Sequence, residues 1–296
     1  MDVVLPKPGR YVVAVSGGVD SMVLLDILSR EPSLSLTVAH LDHGIRDDSP
    51  QDRVLVGQVS DTLGVDSVCH QAKLGKQTSE AEAREVRYDF LRKVQKDTNG
   101  DGIITAHHQD DVIETAILNM LRGTGRKGLT SLGSNSDIIR PLLKVPKADL
   151  IKYAQNQGLV WREDSTNLDE NYLRNYVRHN YVPKLSSEKR RELIDLIESM
   201  QDTNAELDNL LAKYLQNQSV SGSIDRDWFN HLPHNVAREV LASWLRYNDV
   251  RSFDSKTLER LVVAAKTGQT GKTFPVVSGY NMKVNKANLA LSVPER

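Results

Sequence analysis

The chain contains 296 residues, 39% hydrophobic and 26% charged, and its 38 Lys and Arg against 39 Asp and Glu residues give a formal net charge of -1. These values are ordinary for a globular protein and exclude a disordered, fibrous or disulfide-stabilised class. The single cysteine, Cys69, forms neither an internal disulfide nor a multi-cysteine metal site, which favours a reducing, cytoplasmic compartment. No apolar run approaches the roughly 18 residues of a membrane span, and a role with RNA must depend on local basic patches.

Short β-branched runs alternate with amphipathic segments over the first half of the chain. The runs predicted as buried strands are YVVAV (11–15), LTVAH (36–40), SVCH (67–70, with Cys69 as a small core residue) and IITA (103–106). Helices are predicted from Met22 to Arg30, from Ser49 to Gly64 and, with a Ser79/Glu82 capping box, from Ser79 to about Lys96. This alternation predicts an α/β fold with helices on both faces of a parallel sheet, which binds ligands at the carboxyl ends of its strands.

The second half of the chain has a different pattern. Its apolar residues fall at helical spacing in three segments, and one late strand is predicted: helices over 188–215, 234–247 and 254–266, and a strand over 274–277. We therefore expect a first domain over 1–190 and a smaller, mainly helical domain over 191–296. The basic stretch 171–191 joins them.

A glycine-rich loop follows the first strand and precedes the first helix. Its residues are Ser16, Gly17, Gly18, Val19, Asp20 and Ser21. Glycines let backbone amides approach a ligand, and the positive end of the following helix suits a polyphosphate. The loop lacks the lysine of the GxxxxGK[ST] motif, and its lone acid, Asp20, suggests a bridging Mg2+. The alternative is a tight turn that binds nothing.

A second group of polar residues follows the fourth strand. His107 lies at the strand end, and Asp111 and Glu114 share one face of the helix that begins near Gln109. A histidine with two carboxylates can orient an amine, accept its proton or hold Mg2+. The alternative is that the acids only favour the helix N-terminus through its dipole.

The motif SGGVDS resembles the SGGxDS motif of the ATP-pyrophosphatase (PP-loop) superfamily. With six further motifs in order, the first 180 residues resemble the tRNA(Ile)-lysidine synthetases: HLDHGIR (40–46), EAREVRYDFL (82–91), AHHQDDVIET (106–115), NMLRGTGRKGLTSL (119–132), IIRPLL (138–143) and EDSTNLDENYLRNYVRH (163–179). The resemblance implies an adenine nucleotide alpha-hydrolase-like fold. It also implies that ATP adenylates the C2 oxygen of the wobble cytidine in a tRNA(Ile) with a CAU anticodon, after which the ε-amine of free L-lysine attacks C2 and displaces AMP.

The resemblance also implies roles for particular residues. Ser16 to Ser21 would hold the ATP phosphates, with Asp20 as a Mg2+ ligand. Asp111 and Glu114 would receive the lysine ammonium, and His107 or a carboxylate would accept its proton. Either Arg84 or Arg87, one turn apart, would stabilise the pentavalent phosphorus, unless both lie on a solvated helix face.

Binding of the tRNA is expected at local basic patches. One is the loop RGTGRKG, with Arg122, Arg126 and Lys127. The other is the stretch 171–191, with Arg174 and Arg178 in the matched RNYVR segment and with Tyr172, Tyr176 and Tyr181 placed to stack on a base. The alternative for each patch is a solvated charged face.

Two other functions compete with this interpretation. A PP-loop tRNA thiolase that relays sulfur or holds an iron-sulfur cluster needs several cysteines, whereas this chain has one. A non-catalytic ATP-binding sensor has no need of the histidine and acids after the fourth strand. A second copy of the chain, in a homodimer, is a further candidate partner.

Overall fold

The computed structural model of the chain describes residues 1–44, 49–72, 74–75, 78–133, 138–163, 173–218, 222–250, 253–277 and 279–292. They form two compact units. The first contains Met1–Gly123 and Gly128–Glu198, and the second contains Thr124–Lys127 and Ser199–Arg296. The sequence placed the boundary at residue 190; the compact units divide after Glu198, inside a helix, and the second unit includes a four-residue segment from the first half of the chain.

The first unit is built on a five-stranded parallel sheet. Its order is β3-β2-β1-β4-β5, with β1 at Gly9–Ala14, β2 at Leu34–Asp42, β3 at Asp66–Gln71, β4 at Gly102–Ile104 and β5 at Ile138–Ile139. The four predicted strands are therefore confirmed. Because β1 pairs with both β2 and β4, the strand order reverses there, and a crevice is expected at the carboxyl ends of β1 and β4.

Helices follow the strands in the first unit. They are α1 Val19–Ser29, α2 Ser49–Leu63, α3 Glu80–Asp97, α4 Gln109–Leu121, α6 Lys147–Gln157 and α7 Leu173–Asn180, with a 3-10 turn at Val182–Lys184. Two further helices, α5 Arg126–Leu129 and α8 Ser187–Gln218, contain residues of both units. The predicted capping box is present at α3: the backbone N–H of Glu82 donates to Ser79 Oγ, and that of Ser79 donates to the Glu82 carboxylate. Among the described residues no helix is long and apolar enough to cross a membrane.

The side chains of the strands alternate between two hydrophobic cores. Val13, Val38 and Ile104 pack on one face with side chains of α1 and α6. Their neighbours Val12, Ala39 and Ile103 pack on the other face with α3. This period of two along each strand buries both faces of the sheet, which confirms the predicted α/β class.

The strand β3 differs from the prediction of a buried strand. It lies at the edge of the sheet, and all six of its residues are exposed. The expectation that Cys69 is a core residue is therefore wrong, because its thiol is free and exposed. A short β-branched run does not tell an edge strand from a central one, since this difference depends on the strand order.

The second unit combines helices with a small sheet. Besides the later part of α8 it contains α9 Arg226–His231, α10 His234–Tyr247 and α11 Ser255–Thr267. An antiparallel sheet of order β6-β9-β8-β7 packs with them, formed by β6 Ile224–Asp225, β7 Thr273–Pro275, β8 Asn281–Val284 and β9 Asn288–Ser292. The core contains the fully buried Trp244 and Phe229 together with Met282 and Leu289 of the sheet. Only the segment of β7 was predicted, because strands of two to five residues carry little periodicity.

Candidate active site

The predicted phosphate loop connects β1 to α1 and is fixed by its own serines. Gly17 has a φ of +93°, a conformation that favours glycine, and Gly18 forms the N-cap of α1. The Ser21 hydroxyl donates to the Gly18 carbonyl at 2.9 Å and accepts from the backbone N–H of Ser16 at 3.2 Å. The loop is therefore preorganised, with the first amides of α1 at the carboxyl edge of the sheet.

Arg162, which is distant from the loop in sequence, also holds the loop in position. The backbone N–H of Arg162 donates to the Gly17 carbonyl at 3.0 Å. Its guanidinium donates to the buried carboxylate of Asp52 on α2 at 2.7 Å. A Cβ at Gly17 would lie 3.5 Å from Asp52 Cβ, so the loop, α2 and the Arg162 segment pack closely together.

The acid of the loop, Asp20, has a basic partner on another helix. Lys147 Nζ, at the start of α6, lies 2.5 Å from Asp20 Oδ1, and His108 Nε2 lies 3.7 Å from Oδ2. Among the described residues no group of three or more His, Cys, Asp and Glu side chains is placed to hold a metal ion. A Mg2+ at Asp20 would thus take most of its ligands from phosphates and water, which suits this ion.

A cavity of about 500 Å³ opens beside the loop at the carboxyl ends of the strands. Asp20 and Ser21 line it from the loop, His107 and Asp111 from the end of β4 and the start of α4, and Arg87 from α3. The phosphate loop and two members of the second predicted group, His107 and Asp111, therefore share one cavity, as expected for the edge where a parallel sheet reverses its order. The third member, Glu114, is fully buried and does not line it.

His107 lies at the mouth of β4, and its ring is oriented by a buried hydroxyl. Its Nδ1 lies 2.8 Å from the Oγ1 of Thr105. Burial lowers the pKa of His107 to about 3, and the nearby guanidinium groups of Arg140, Arg87 and Arg84 act in the same direction against the charge of Asp111. The imidazole is therefore neutral at pH 7 and a weak base, which suits a hydrogen bond to a ligand better than transfer of a proton.

Asp111 and Glu114 share one face of α4, as predicted, and two arginines of α7 hold them. Arg178 donates from Nε to Glu114 Oε1 at 2.7 Å and from Nη2 to Asp111 Oδ1 at 3.3 Å, and Arg174 Nε donates to Glu114 Oε2 at 3.1 Å. Burial opposes ionisation of Asp111, but His108, His107 and Arg174 outweigh it and lower the pKa of this carboxyl to about 2. We call Asp111, Glu114, Arg174 and Arg178 the charge-balanced cluster.

The two candidate arginines of α3 have different positions. Arg87 lines the cavity, whereas Arg84 donates to the Tyr88 hydroxyl at 3.3 Å and lies 4.8 Å from the centroid of that ring. Arg140, directly after β5, is buried, and its Nε and Nη2 have no hydrogen-bond partner among the described residues. Of the two candidate arginines, Arg87 is thus the one that lines the cavity, and a role for either at the phosphates stays a prediction.

The remaining residues that were predicted to bind tRNA belong to several different elements. Arg122 is exposed at the end of α4. In the second unit, Arg126 donates to Asp208 at 2.8 Å and to Glu239 at 2.9 Å, and Lys127 Nζ lies 2.6 Å from Asp208. Tyr176 and Tyr181 are exposed and form an edge-to-face pair with centroids 5.9 Å apart; Tyr172 lies outside the described residues. Binding of tRNA by these side chains stays a prediction.

Sequence reasoning missed several residues that build the site. Lys147, Arg162 and Thr105 contact the loop or His107, yet the first two lie more than 120 residues from the loop. The pairing of Arg174 and Arg178 with Asp111 and Glu114 had a signal in the sequence. The two acids are three residues apart and the two arginines are four residues apart, so each pair lies on one face of its helix. The two faces carry opposite charges.

Comparisons with known proteins place the chain in one family. The model of the PP-loop domain family matches residues 3–185. The tRNA(Ile)-lysidine synthase of Nitrosomonas europaea is 32% identical over 274 residues, which cover 86% of this chain and 59% of the relative. That of Solibacter usitatus is 31% identical, covering 96% of this chain and 68% of the relative. The chain thus spans about three fifths of the length of the first of these relatives and two thirds of the other.

Among solved structures, the U34-tRNA thiolase NcsA from Methanococcus maripaludis with its [4Fe-4S] cluster is similar over 66% of this chain and 74% of its own. The TM-score is 0.48 and the sequence identity 18%.

Proposed function

The chain belongs to the PP-loop family and, within it, to the tRNA(Ile)-lysidine synthases, and from this membership we propose that it is an ATP-dependent ligase. It joins the ε-amine of free L-lysine to C2 of the wobble cytidine in a tRNA(Ile) with a CAU anticodon. The observation that carries the proposal is one cavity lined by a phosphate loop, a neutral histidine and an acid held by arginines.

The first half-reaction activates the cytidine with ATP. The loop amides and the serines of 16–21 bind the phosphates, and Asp20 is the ligand for the Mg2+ that accompanies them. The C2 oxygen of the cytidine attacks the α-phosphorus, and pyrophosphate leaves. Because Arg87 lines the cavity, its guanidinium stabilises the negative charge of the pentavalent phosphorus.

The second half-reaction uses the charge-balanced cluster. Two carboxylates and two guanidinium groups carry opposite charges on neighbouring helices. Free lysine also carries both signs of charge, since it has two ammonium groups and one carboxylate. Asp111 and Arg174 line the cavity, so Asp111 binds the ε-ammonium and the Arg174 guanidinium binds the carboxylate. Glu114 is fully buried and, together with Arg178, holds these two side chains in position.

The ε-ammonium must lose a proton before the amine attacks C2 and displaces AMP. The neutral imidazole of His107 orients the amine, whereas its pKa of about 3 makes it too weak a base to hold the proton of an ammonium, so the proton passes to solvent. The tRNA is bound by exposed basic and aromatic side chains, with Arg122, Tyr176 and Tyr181 the exposed candidates among those predicted. A tRNA-modifying ligase acts in the cytoplasm, and a homodimer stays a prediction.

The test is a ligation assay with the whole chain. The protein is incubated with ATP, Mg2+, labelled lysine and an unmodified tRNA(Ile) transcript that has a CAU anticodon. We expect label in the tRNA together with AMP and pyrophosphate, and none with a matched transcript whose wobble cytidine is uridine. Absence of both label transfer and AMP release with the first transcript would refute the proposal, and ATP binding without turnover would favour the sensor.

A further inference from the structure

The phosphate loop has no cation of its own. Its polar side chains are the hydroxyls of Ser16 and Ser21 and the carboxylate of Asp20. Backbone N–H groups and the dipole of α1 add only partial positive charges. Pyrophosphate gains negative charge as it leaves the α-phosphorus, so a full positive charge beside it would stabilise the transition state more than the ground state.

Lys147 brings such a charge to the loop. It is the first residue of α6, which follows β5 and therefore begins at the same carboxyl edge of the sheet as the loop. Its Nζ lies 2.5 Å from Asp20 Oδ1, and its backbone N–H donates to Asp110 Oδ1 at 3.4 Å. The ammonium is thus directed at the loop from a neighbouring helix N-terminus.

The packing of α6 against α1 fixes this position. The Tyr153 hydroxyl of α6 donates to Asp26 of α1 at 2.7 Å. Leu150 and Ala154 of α6 are fully buried in the core that contains Leu24 of α1. Lys147 therefore starts from a rigid element, and its side chain alone needs to move to reach a bound nucleotide.

The ion pair itself adds little to the stability of the fold. The side chain of Lys147 is 33% exposed and that of Asp20 is 27% exposed. Pairs so open to solvent contribute weakly to folding because water screens them and their side chains lose entropy. The main effect of the pair is to keep an ammonium beside the loop.

We propose that Lys147 is a catalytic residue that binds the β- and γ-phosphates of ATP and stabilises the departing pyrophosphate. This inference rests on the proposed function and deepens it. Asp20 would hold a Mg2+ that accompanies the nucleotide, and the Lys147 ammonium contacts the phosphate oxygens. The cytidine C2 oxygen bonds to the α-phosphorus as the bond to the bridging oxygen breaks. That electron pair leaves with pyrophosphate, and Lys147 keeps its proton throughout.

The experiment compares Lys147→Met and Lys147→Arg with Lys144→Met in the whole chain. Lys144 is the matched control because it is a lysine of the same segment, in an exposed ion pair with Glu198. Three quantities are measured: the single-turnover rate of pyrophosphate release, the calorimetric affinity for pyrophosphate with Mg2+ and no tRNA, and the midpoint of urea unfolding.

We expect Lys147→Met to slow pyrophosphate release about 100-fold, as for loss of one group that stabilises transition-state charge. Its affinity for pyrophosphate falls, Lys147→Arg restores part of both losses, and Lys144→Met matches the wild type. The inference would be overturned if Lys147→Met released pyrophosphate and bound it as the wild type does. It would also be overturned if Lys147→Met were unfolded while Lys144→Met stayed folded, because Lys147 would then serve the fold. Failure of the wild type to form lysidine would refute the proposed function instead.

Discussion

The charge of single side chains decides what the cavity can do. His107 is neutral because its ring is buried, Asp111 is ionised because its neighbours outweigh its burial, and Asp20 faces an ammonium. None of these states follows from the sequence motif, which gives the residue types and their order. The residues that line the cavity could largely be predicted, but the partner of Asp20 could not, because Lys147 belongs to a helix whose position depends on the whole fold.

Asp20 is expected to be essential for the first half-reaction. Asp20→Asn keeps the shape of the side chain but removes the charge that we propose binds Mg2+, so pyrophosphate release should fall by about 100-fold or more. Asp61→Asn, on the exposed end of α2, is the control. Near-normal release from Asp20→Asn in a single-turnover assay would contradict the role of this residue.

His107 gives a pH dependence with a definite sign. Its folded pKa of about 3 lies below the unfolded value of about 6.5, so the folded state binds fewer protons between these values. The contribution of His107 to the free energy of unfolding is complete above pH 6.5 and decreases as the pH falls towards 3. Between pH 6.5 and 5 the loss reaches up to about 2 kcal/mol.

Urea unfolding of the wild type and of His107→Gln at both pH values measures this loss, which the variant should lack. Asp111 does not interfere in this window, because its lowered pKa affects stability only below the ordinary range of a carboxyl group. Heteronuclear NMR should also show a neutral His107 imidazole at pH 5. A ring that is protonated at this pH would contradict the assignment.

At the scale of elements, helices α4 and α7 are joined by opposite charges rather than by apolar packing alone. Glu114 is completely buried and accepts hydrogen bonds from both Arg174 and Arg178. Its removal leaves two partly buried guanidinium groups without their main acceptor. This contact was not predicted, since sequence reasoning assigned both arginines to RNA.

We expect Glu114→Ala to lower the free energy of unfolding by about 2–3 kcal/mol, as when one partner of a buried pair is removed. The control is Glu198→Ala, which breaks the exposed pair with Lys144 and should cost less than about 1 kcal/mol. Both are measured by urea denaturation at pH 7. Equal costs for the two variants would show that the charge-balanced cluster does not hold the helices together.

The elements of the first unit were predicted more completely than those of the second. Strands β1, β2 and β4 and helices α1 to α3 were located from β-branched runs and from caps at Ser49 and Ser79. In the second unit, α10 was located at the correct residues, but most of the sheet was not predicted. Its strands are short, and their pairing joins segments as far apart as β6 and β9, which local periodicity cannot indicate.

At the scale of the whole molecule, the chain does not divide at a single point. The residues Thr124–Lys127 belong to the second unit although most of their sequence neighbours belong to the first. Arg126 holds this segment through Asp208, Glu239 and the Asn204 side chain at 2.8 Å. A single boundary in the sequence therefore cannot describe the two units, because a segment of the first half belongs to the second unit.

Arg126→Met is therefore expected to destabilise the protein by about 1–2 kcal/mol, because its side chain is mostly buried and leaves charged partners unsatisfied. Lys127→Met, which removes a more exposed cation beside the same Asp208, should have a smaller effect. Thermal unfolding and tRNA binding are measured on both variants. If Arg126→Met weakens tRNA binding with no change in stability, the residue acts on RNA rather than on the fold.

The zero net charge of the cluster formed by Asp111, Glu114, Arg174 and Arg178 affects which solutes compete for the cavity. Two unneutralised carboxylates would attract every small dication, and polyamines would occupy them. With the two arginines in place, the long-range attraction cancels, and only a molecule with both signs of charge at the right separation gains from every contact. We therefore expect the cavity to bind polyamines poorly, because the charges of the cluster cancel at a distance.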